Sequence, residues 1–280
     1  MNQIDKENTA CCGPSCCETA TDAKTLSLSE GDVKNSIRER YGKIATEGGS
    51  CCRPHCGCGS ESNDEQSISL LMNDEYTNVD KQIIAAADLG LGCGTPTAFT
   101  DLQPGMTVLD LGSGAGIDIF IAAKAVGPTG KAIGLDMTDE MLKRARANKI
   151  KLGINNAEFW KGEIEDMPFE SNSIDRIISN CVINLVPDKT KAFSEMYRVL
   201  KPGGKFTVSD IVSVGQIPQD VRRNMELWAG CIAGALDKDE YLRIVREAEF
   251  RDLTISAEKP YNLEDNTSFG LASITLTATK

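Results

Sequence analysis

Two groups of residues in this 280-residue sequence could carry chemistry. One is a loop in which three glycines alternate, Gly112, Gly114 and Gly116, with Ser113 between the first two. Asp110 precedes the loop, Asp118 follows it, and a third acid, Asp136, closes the next apolar run. Glycines at that spacing let backbone approach a ligand closely, and an acid ending the second strand can accept hydrogen bonds from ribose hydroxyls. The fingerprint that cradles a pyrophosphate is Gly-x-Gly-x-x-Gly. Here the spacing is Gly-x-Gly-x-Gly between two carboxylates, a setting that repels pyrophosphate and suits an ammonium or sulfonium cation. The other group is three cysteines far apart in the chain, Cys93, Cys181 and Cys231. Thiolates select soft ions, so three that met would form a soft-ion site; each taken singly reads equally well as a small buried hydrophobe.

A repeating strand–helix pattern must place both groups. From Pro104 the expected strands are Thr107–Leu111, Lys131–Leu135, Ala157–Lys161, Ile174–Ser179 and Lys205–Ile211. Between them, helices are expected over Gly116–Val126, from a Thr138 cap to about Leu152, and from Lys189 to a stop at Lys201-Pro202-Gly203-Gly204. This alternation predicts an α/β fold with a doubly wound, mostly parallel sheet, seven-stranded once Leu253–Glu258 and Ser273–Thr279 are added. Right-handed crossovers bring ligand groups to the carboxyl ends of the strands, where Asp110, Asp136, Glu163 and Asn180 all fall.

Upstream, Val33, Ile37, Tyr41 and Ile44 have helical spacing, 46–67 reads as a loop, and 79–89 as a short helix. Leu89 to Pro96 is an irregular glycine-rich loop that carries Cys93. Downstream, helices are expected at about 219–233 and 239–249, with Cys231 near the end of the first. The domain organisation that follows is a flexible cysteine-rich extension with one short helix over 1–67, a cofactor-binding core over 68–211 and a substrate-binding end over 212–280 that also supplies the last strands.

Composition narrows the function. Apolar content of 41% supports a sizeable core, and a net charge of −11 argues against nucleic acid or an anionic membrane as partner. The substrate is therefore expected to be small and neutral or cationic. There is no apolar run of membrane-spanning length, and residues 1–30 are polar and acidic, so a cytoplasmic protein is expected. Eleven cysteines, an odd number, then read as reduced thiols rather than a disulfide framework. The single histidine, His55, cannot build a Ser–His–Asp triad with the order of residues present.

The run Leu109-Asp110-Leu111-Gly112-Ser113-Gly114-Ala115-Gly116 resembles the first motif of the S-adenosylmethionine-dependent class I methyltransferases. Asn180-Cys181-Val182-Ile183-Asn184-Leu185-Val186-Pro187-Asp188-Lys189, together with Leu227-Trp228-x-x-Cys231-x-x-Gly234-Ala235-Leu236, resembles the arsenite methyltransferase family. Tyr41-Gly42, Ser50-Cys51-Cys52 and Leu91-Gly92-Cys93-Gly94 agree with its bacterial branch. The similarity covers residues 33 to 258 or so. It implies a class I fold, S-adenosylmethionine as cofactor and stepwise methylation of As(III), a soft centre that takes three sulfurs and keeps a lone pair. Carried over position by position, Cys93, Cys181 and Cys231 match the arsenic-binding thiols, and Cys51 or Cys52 matches a fourth, redox-active one. Ile117 stands where many members have arginine, and the C-terminal part is shorter than in many.

The resemblance also implies an order of events. Three thiolates hold As(III) with its lone pair toward the cofactor's methyl group, transfer formally oxidises the arsenic, and thiols reduce it back. A disulfide, for instance Cys52–Cys93, is then reset by a thioredoxin-type or small-molecule thiol. The cofactor residues are Asp110, Gly112, Ser113, Gly114, Gly116 and Asp136, with Met137 on the adenine face and Gly162, Ile164 and Glu165 after the third strand. Asn180 and Tyr41 complete the set at the methionine end. Met137 reads equally as core, Glu165 as a solvated loop acid and Tyr41 as a helix-face aromatic. Cys11, Cys12, Cys16, Cys17, Cys56 and Cys58 lack zinc-site spacing and read either as an arsenic-collecting tail or as a dispensable extension. Two alternatives stay open: an S-adenosylmethionine methyltransferase for a small organic acceptor such as a quinone precursor, and a soft-metal-binding thiol protein. A monomer is expected in each case.

Overall fold

The computed structural model describes residues 29–47, 76, 79–222, 231–261 and 269–280. Cys51, Cys52, the six flanking cysteines, His55 and residues 48–67 of the loop expected over 46–67 lie outside the described residues, while Thr46 and Glu47 belong to the helix that begins at Glu30. Five parallel strands form the main sheet: β1 (Thr107–Leu111), β2 (Lys131–Asp136), β3 (Ala157–Lys161), β4 (Ile174–Asn180) and β5 (Leu200–Val214). Their residues alternate between two apolar layers, as a strand buried on both faces requires. Leu109 and Leu111 pack with Phe193, Met196, Phe206 and Tyr241 on one side, and Val108 packs with Ile119, Phe120, Leu142 and Phe159 on the other. The first layer is covered by α5 (Lys189–Val199) and α7 (Lys238–Glu247), the second by α2 (Lys81–Ala87), α3 (Ile117–Val126) and α4 (Asp139–Leu152).

The strand order is β3-β2-β1-β4-β5-β7-β6, with β7 (Gly270–Thr279) antiparallel to β5 and β6 (Arg251–Tyr261) antiparallel to β7. The chain is thus a seven-stranded, doubly wound α/β fold. β1 pairs with β2 on one side and β4 on the other, so the winding reverses there and opens a crevice beyond the carboxyl ends of β1 and β4. α1 (Glu30–Glu47) lies across α4: Gly42 leaves room for Glu140, whose Oε2 would be 3.2 Å from an added Cβ, and Arg144 donates to the Ala45 carbonyl at 3.1 Å.

Four expectations need correction. Lys201-Pro202-Gly203-Gly204 does not lie between a helix and a strand. β5 runs through it as a bulge, between the pairs Ile174↔Leu200 and Arg176↔Lys205. The chain end keeps it in the sheet, since Gly203 donates to the Lys280 carbonyl and Lys280 to that of Gly204. Thr138 occupies the N-cap position of α4, but its hydroxyl makes no capping bond; its own N–H is turned instead to Asp136. The described part of the helix expected over 219–233 is α6 (Gln219–Arg222), and Cys231 sits in a turn at φ +64° rather than in a helix. β6 and β7 extend beyond their expected spans because they pair with each other over almost their whole length. No helix among the described residues is long and apolar enough to cross a membrane.

Candidate active site

The glycine loop fills the crevice floor. Gly112, Gly114 and Gly116 have φ of +68°, +50° and +96°, backbone that a side chain disfavours. The reasons differ along the loop. A Cβ on Gly112 would sit 2.5 Å from the Val182 methyls, so this glycine permits close packing against the segment after β4. One on Gly114 would meet nothing nearer than the Met141 sulfur at 4.0 Å, so this face opens to the cleft. The loop is tied to β2 by Asp136, which accepts the Gly114 N–H at 2.9 Å on one oxygen and the Thr138 N–H at 2.8 Å on the other. Burial raises the Asp136 carboxyl above its ordinary range, and these backbone donors pull it back.

Two further acids line the cleft. Burial pushes Asp110 well above the usual carboxylate range, reinforced by the charges of Asp118 and Asp136. Asp118 is raised to about 6 by burial, against hydrogen bonds that favour its charge. Those bonds come from the Tyr76 phenol at 2.8 Å, Thr97 at 3.3 Å and the Asn180 amide at 3.5 Å. Asn180 also ties the cleft to the Cys93 loop, its oxygen accepting the Cys93 N–H at 3.1 Å and its nitrogen donating to the Gly94 carbonyl at 2.6 Å. Its amide therefore serves the loop as well as facing the cleft.

α1 roofs the cavity with Lys34, Ile37 and Tyr41. Lys34 reaches across to Glu163 and Glu165, each at 2.7 Å, and Arg38 joins it on Glu163. Glu165 is buried beneath this clamp, which sets aside the alternative reading of a solvated loop acid. Met137, Gly162 and Ile164 line the same wall. Burial raises the Tyr41 phenol well above its ordinary value, and Cys231 and Cys181 add to the rise. Among the described lining residues six acids (Asp88, Asp110, Asp118, Asp136, Glu163, Glu165) face one lysine, Lys34. A cleft of that charge, with an open glycine face on its floor, fits a cationic nucleoside cofactor.

The three thiols share one buried cluster at the cleft's inner end, where the sulfurs of Cys93 and Cys181 lie within 4.8 Å of each other and Cys231 stands at the Cys181 backbone. Cys93, Cys181 and Cys231 are all buried and all free. The Cys231 thiol donates to the Cys181 carbonyl at 3.2 Å. Burial pushes the Cys181 thiol well above its ordinary range and raises that of Cys93. Cys181 and Cys231 hold left-handed backbone, φ +60° and +64°, which costs a non-glycine residue about 1–2 kcal/mol and occurs at sites the surroundings over-determine. Of the three, Cys181 alone lines the cofactor cleft. Asn184, from the same decapeptide, donates to the Ile211 and Cys231 carbonyls at 2.6 and 3.3 Å and pins the Cys231 turn beneath.

The crevice thus gathers Tyr41, Asp110, Gly112, Ser113, Gly114, Asp136, Met137, Gly162, Ile164, Glu165, Asn180 and Cys181. Gly116 stands apart: its added Cβ would strike the Phe120 ring at 2.9 Å, so it serves packing at the start of α3. Sequence reasoning missed Tyr76, Lys34 and Asp210. Tyr76 gave no signal, being a lone aromatic in a polar stretch. Asp210 did, as a charge in the middle of a buried strand, where a carboxylate must have partners. It is raised to about 7 by burial, with Lys189 opposing, and accepts from the Ile211 N–H at 3.1 Å and the Tyr241 hydroxyl at 3.4 Å.

A family model described as a methyltransferase domain matches residues 102–249. An arsenite methyltransferase of Halobacterium salinarum is 44% identical over 230 residues, 80% of this chain. The chain spans 59% of that relative's own length. A demethylmenaquinone methyltransferase of Oceanobacillus iheyensis is 41% identical, but over 105 residues, shorter than the stretch from Cys93 to Cys231. Among solved structures, an arsenic(III) S-adenosylmethionine methyltransferase from Chlamydomonas reinhardtii superposes with a TM-score of 0.64 at 33% identity, covering 79% of this chain and 75% of the other. The chain belongs to the methyltransferase-domain family, and within it to the arsenite S-adenosylmethionine methyltransferases.

Proposed function

We propose that this chain transfers methyl groups from S-adenosylmethionine to trivalent arsenic held by Cys93, Cys181 and Cys231. The observation that carries the reading is the gathering of three buried free thiols in one cluster at the end of an acid-lined cleft, with Cys181 shared by cluster and cleft. Asp110, Asp136, the open face of Gly114 and the wall of Met137, Gly162, Ile164 and Glu165 would hold the cofactor, with Tyr41 closing over it. When bound, the cofactor supplies an electrophilic methyl group on a positively charged sulfur.

The chain's own residues do the rest. Arsenite exchanges its three hydroxyls for three thiols, each thiol proton leaving with a hydroxyl as water, so no net proton is consumed. Three fixed sulfurs leave the arsenic its lone pair, and the buried cluster excludes the water that would compete for it. Positioning is then the main contribution, as in any transfer between two pre-oriented partners. Asn180 and Asn184 serve it by holding the backbone on either side of Cys181.

A fourth thiol, Cys51 or Cys52, would return the arsenic to the trivalent state, leaving a disulfide such as Cys52–Cys93 for a thioredoxin-type or small-molecule thiol to reduce. Residues 1–67 would then supply the redox thiols, 68–211 the cofactor core and 212–280 the last arsenic ligand. Free thiols of this kind suit a reducing compartment such as the cytoplasm. All three arsenic ligands come from one chain, so a monomer suffices.

The test is product analysis. Purified protein incubated with arsenite, methyl-labelled cofactor and a dithiol should yield labelled methylarsenic species. Cys181→Ser and Cys231→Ser should each abolish them, and near-normal turnover by either variant would overturn the reading.

A further inference from the structure

Beside the arsenic thiols stands a second donor set with a different composition. The sulfurs of Cys93 and Cys181 and a carboxylate oxygen of Asp210 all lie within 4.8 Å of one another, and all three residues are buried. They come from three segments: the loop before β1, the residue after β4 and the middle of β5. The carboxylate is fixed by the Ile211 N–H and the Tyr241 hydroxyl. Lys189 adds a buried positive charge near it, its ammonium donating to the Asn184 and Val186 carbonyls at 3.2 and 3.0 Å. Cys231 does not belong to this set; its thiol is turned to the Cys181 carbonyl.

We propose that Cys93, Cys181 and Asp210 form a binding site for a thiophilic divalent cation such as Zn²⁺ or Cd²⁺, which competes with As(III) for the two shared sulfurs. The competition clause rests on the arsenic reading; the cation site stands on its own geometry. Arsenic(III) is satisfied by three sulfurs and a lone pair, whereas Zn²⁺ and Cd²⁺ accept mixed sulfur and oxygen donors in a tetrahedron. With metal–sulfur and metal–oxygen bonds of about 2.3 and 2.1 Å, tetrahedral donors stand about 3.6–3.8 Å apart, so side-chain shifts of about 1 Å close the set. Loading releases the two thiol protons to solvent and involves no oxidation: one cation and two thiols give one dithiolate complex and two protons. The fourth position is taken by a water that enters with the cation.

The experiment uses the full chain with serine at the eight cysteines other than Cys93, Cys181 and Cys231, titrated with Cd²⁺ alone and, separately, with arsenite. Asp210→Asn should weaken Cd²⁺ by about tenfold or more and change As(III) affinity by less than about threefold. Cys231→Ser should do the reverse. Equal losses of both ligands in both variants would overturn the proposal. Where Asp210→Asn fails to fold, the ¹¹³Cd chemical shift of the parent protein decides: a shift of two sulfurs with oxygen supports the site, and one of three sulfurs overturns it. Should arsenite prove not to be methylated while the two-sulfur Cd²⁺ signal stands, the functional reading falls and the cation site survives.

Discussion

Asn180 holds Cys93 by its backbone: the side-chain oxygen accepts the Cys93 N–H at 3.1 Å while the same amide donates to the Gly94 carbonyl at 2.6 Å and the Tyr76 hydroxyl at 3.0 Å. One side chain at the end of β4 therefore sets the position of a thiol loop 87 residues upstream. Asn180→Leu removes these partners and leaves half-buried backbone groups unsatisfied, at about 1–3 kcal/mol each. As(III) affinity should fall about tenfold or more, with a smaller loss of cofactor affinity. Titrations of both ligands check this, and unchanged As(III) binding would contradict it.

The glycine loop separates packing from access. Gly112→Ala drives a Cβ into Val182 and keeps φ at +68°, so denaturant unfolding should show a loss of about 2–3 kcal/mol. Gly114→Ala has space around it and should cost about 1–2 kcal/mol, from its left-handed backbone alone. Its methyl group faces the cleft, so cofactor affinity should suffer more from Gly114→Ala than stability does. A larger stability loss at Gly114 than at Gly112 would show that the loop packs differently.

Asp118 predicts a pH dependence. Its folded value of about 6 exceeds its ordinary 3.8, so between those values the folded protein binds a proton that the unfolded chain has lost. Its contribution is then fully present below pH 4 and is lost as pH rises through 6, amounting to about 3 kcal/mol at most. Asp118→Asn keeps an acceptor for Tyr76 and removes this term. The stability of the variant minus that of the parent should therefore grow from pH 4 to pH 7, as measured by urea unfolding at each pH. A difference that stays flat or shrinks would contradict the buried-acid account.

Much of this was readable from residue order because it depends on local pattern. Apolar runs of strand length between helical segments specify a parallel sheet, and the strand ends place Asp110, Asp136, Asn180 and Cys181 at one rim. The gathering of Cys93, Cys181 and Cys231 in one buried cluster is a consequence of that topology and not of any single spacing. What lay hidden depends on long-range contact. Tyr76 acts through Asp118, 42 residues away, and the buried Glu165 is paired with Lys34, which reaches it from α1. The Pro202-Gly203-Gly204 bulge reads as a helix stop until the chain end is seen pairing with it.

The Lys34 clamp gives a further expectation. Lys34 is raised by its two glutamates against its own burial, and Glu163 is lowered chiefly by Lys34. Lys34→Met leaves Glu165 buried without its ammonium partner. KM for the cofactor should rise severalfold with kcat nearly unchanged, because the clamp sits on the cofactor wall and away from the thiols. A fall in kcat with unchanged KM would assign Lys34 to a different step.

The central claim is that three sulfurs of one chain hold the arsenic. X-ray absorption at the arsenic edge, on the full chain with serine at the eight other cysteines and one equivalent of arsenite, counts the neighbours directly. Three sulfur neighbours and no oxygen are predicted, falling to two in Cys231→Ser. Two sulfurs with an oxygen in the unaltered trio would contradict the account.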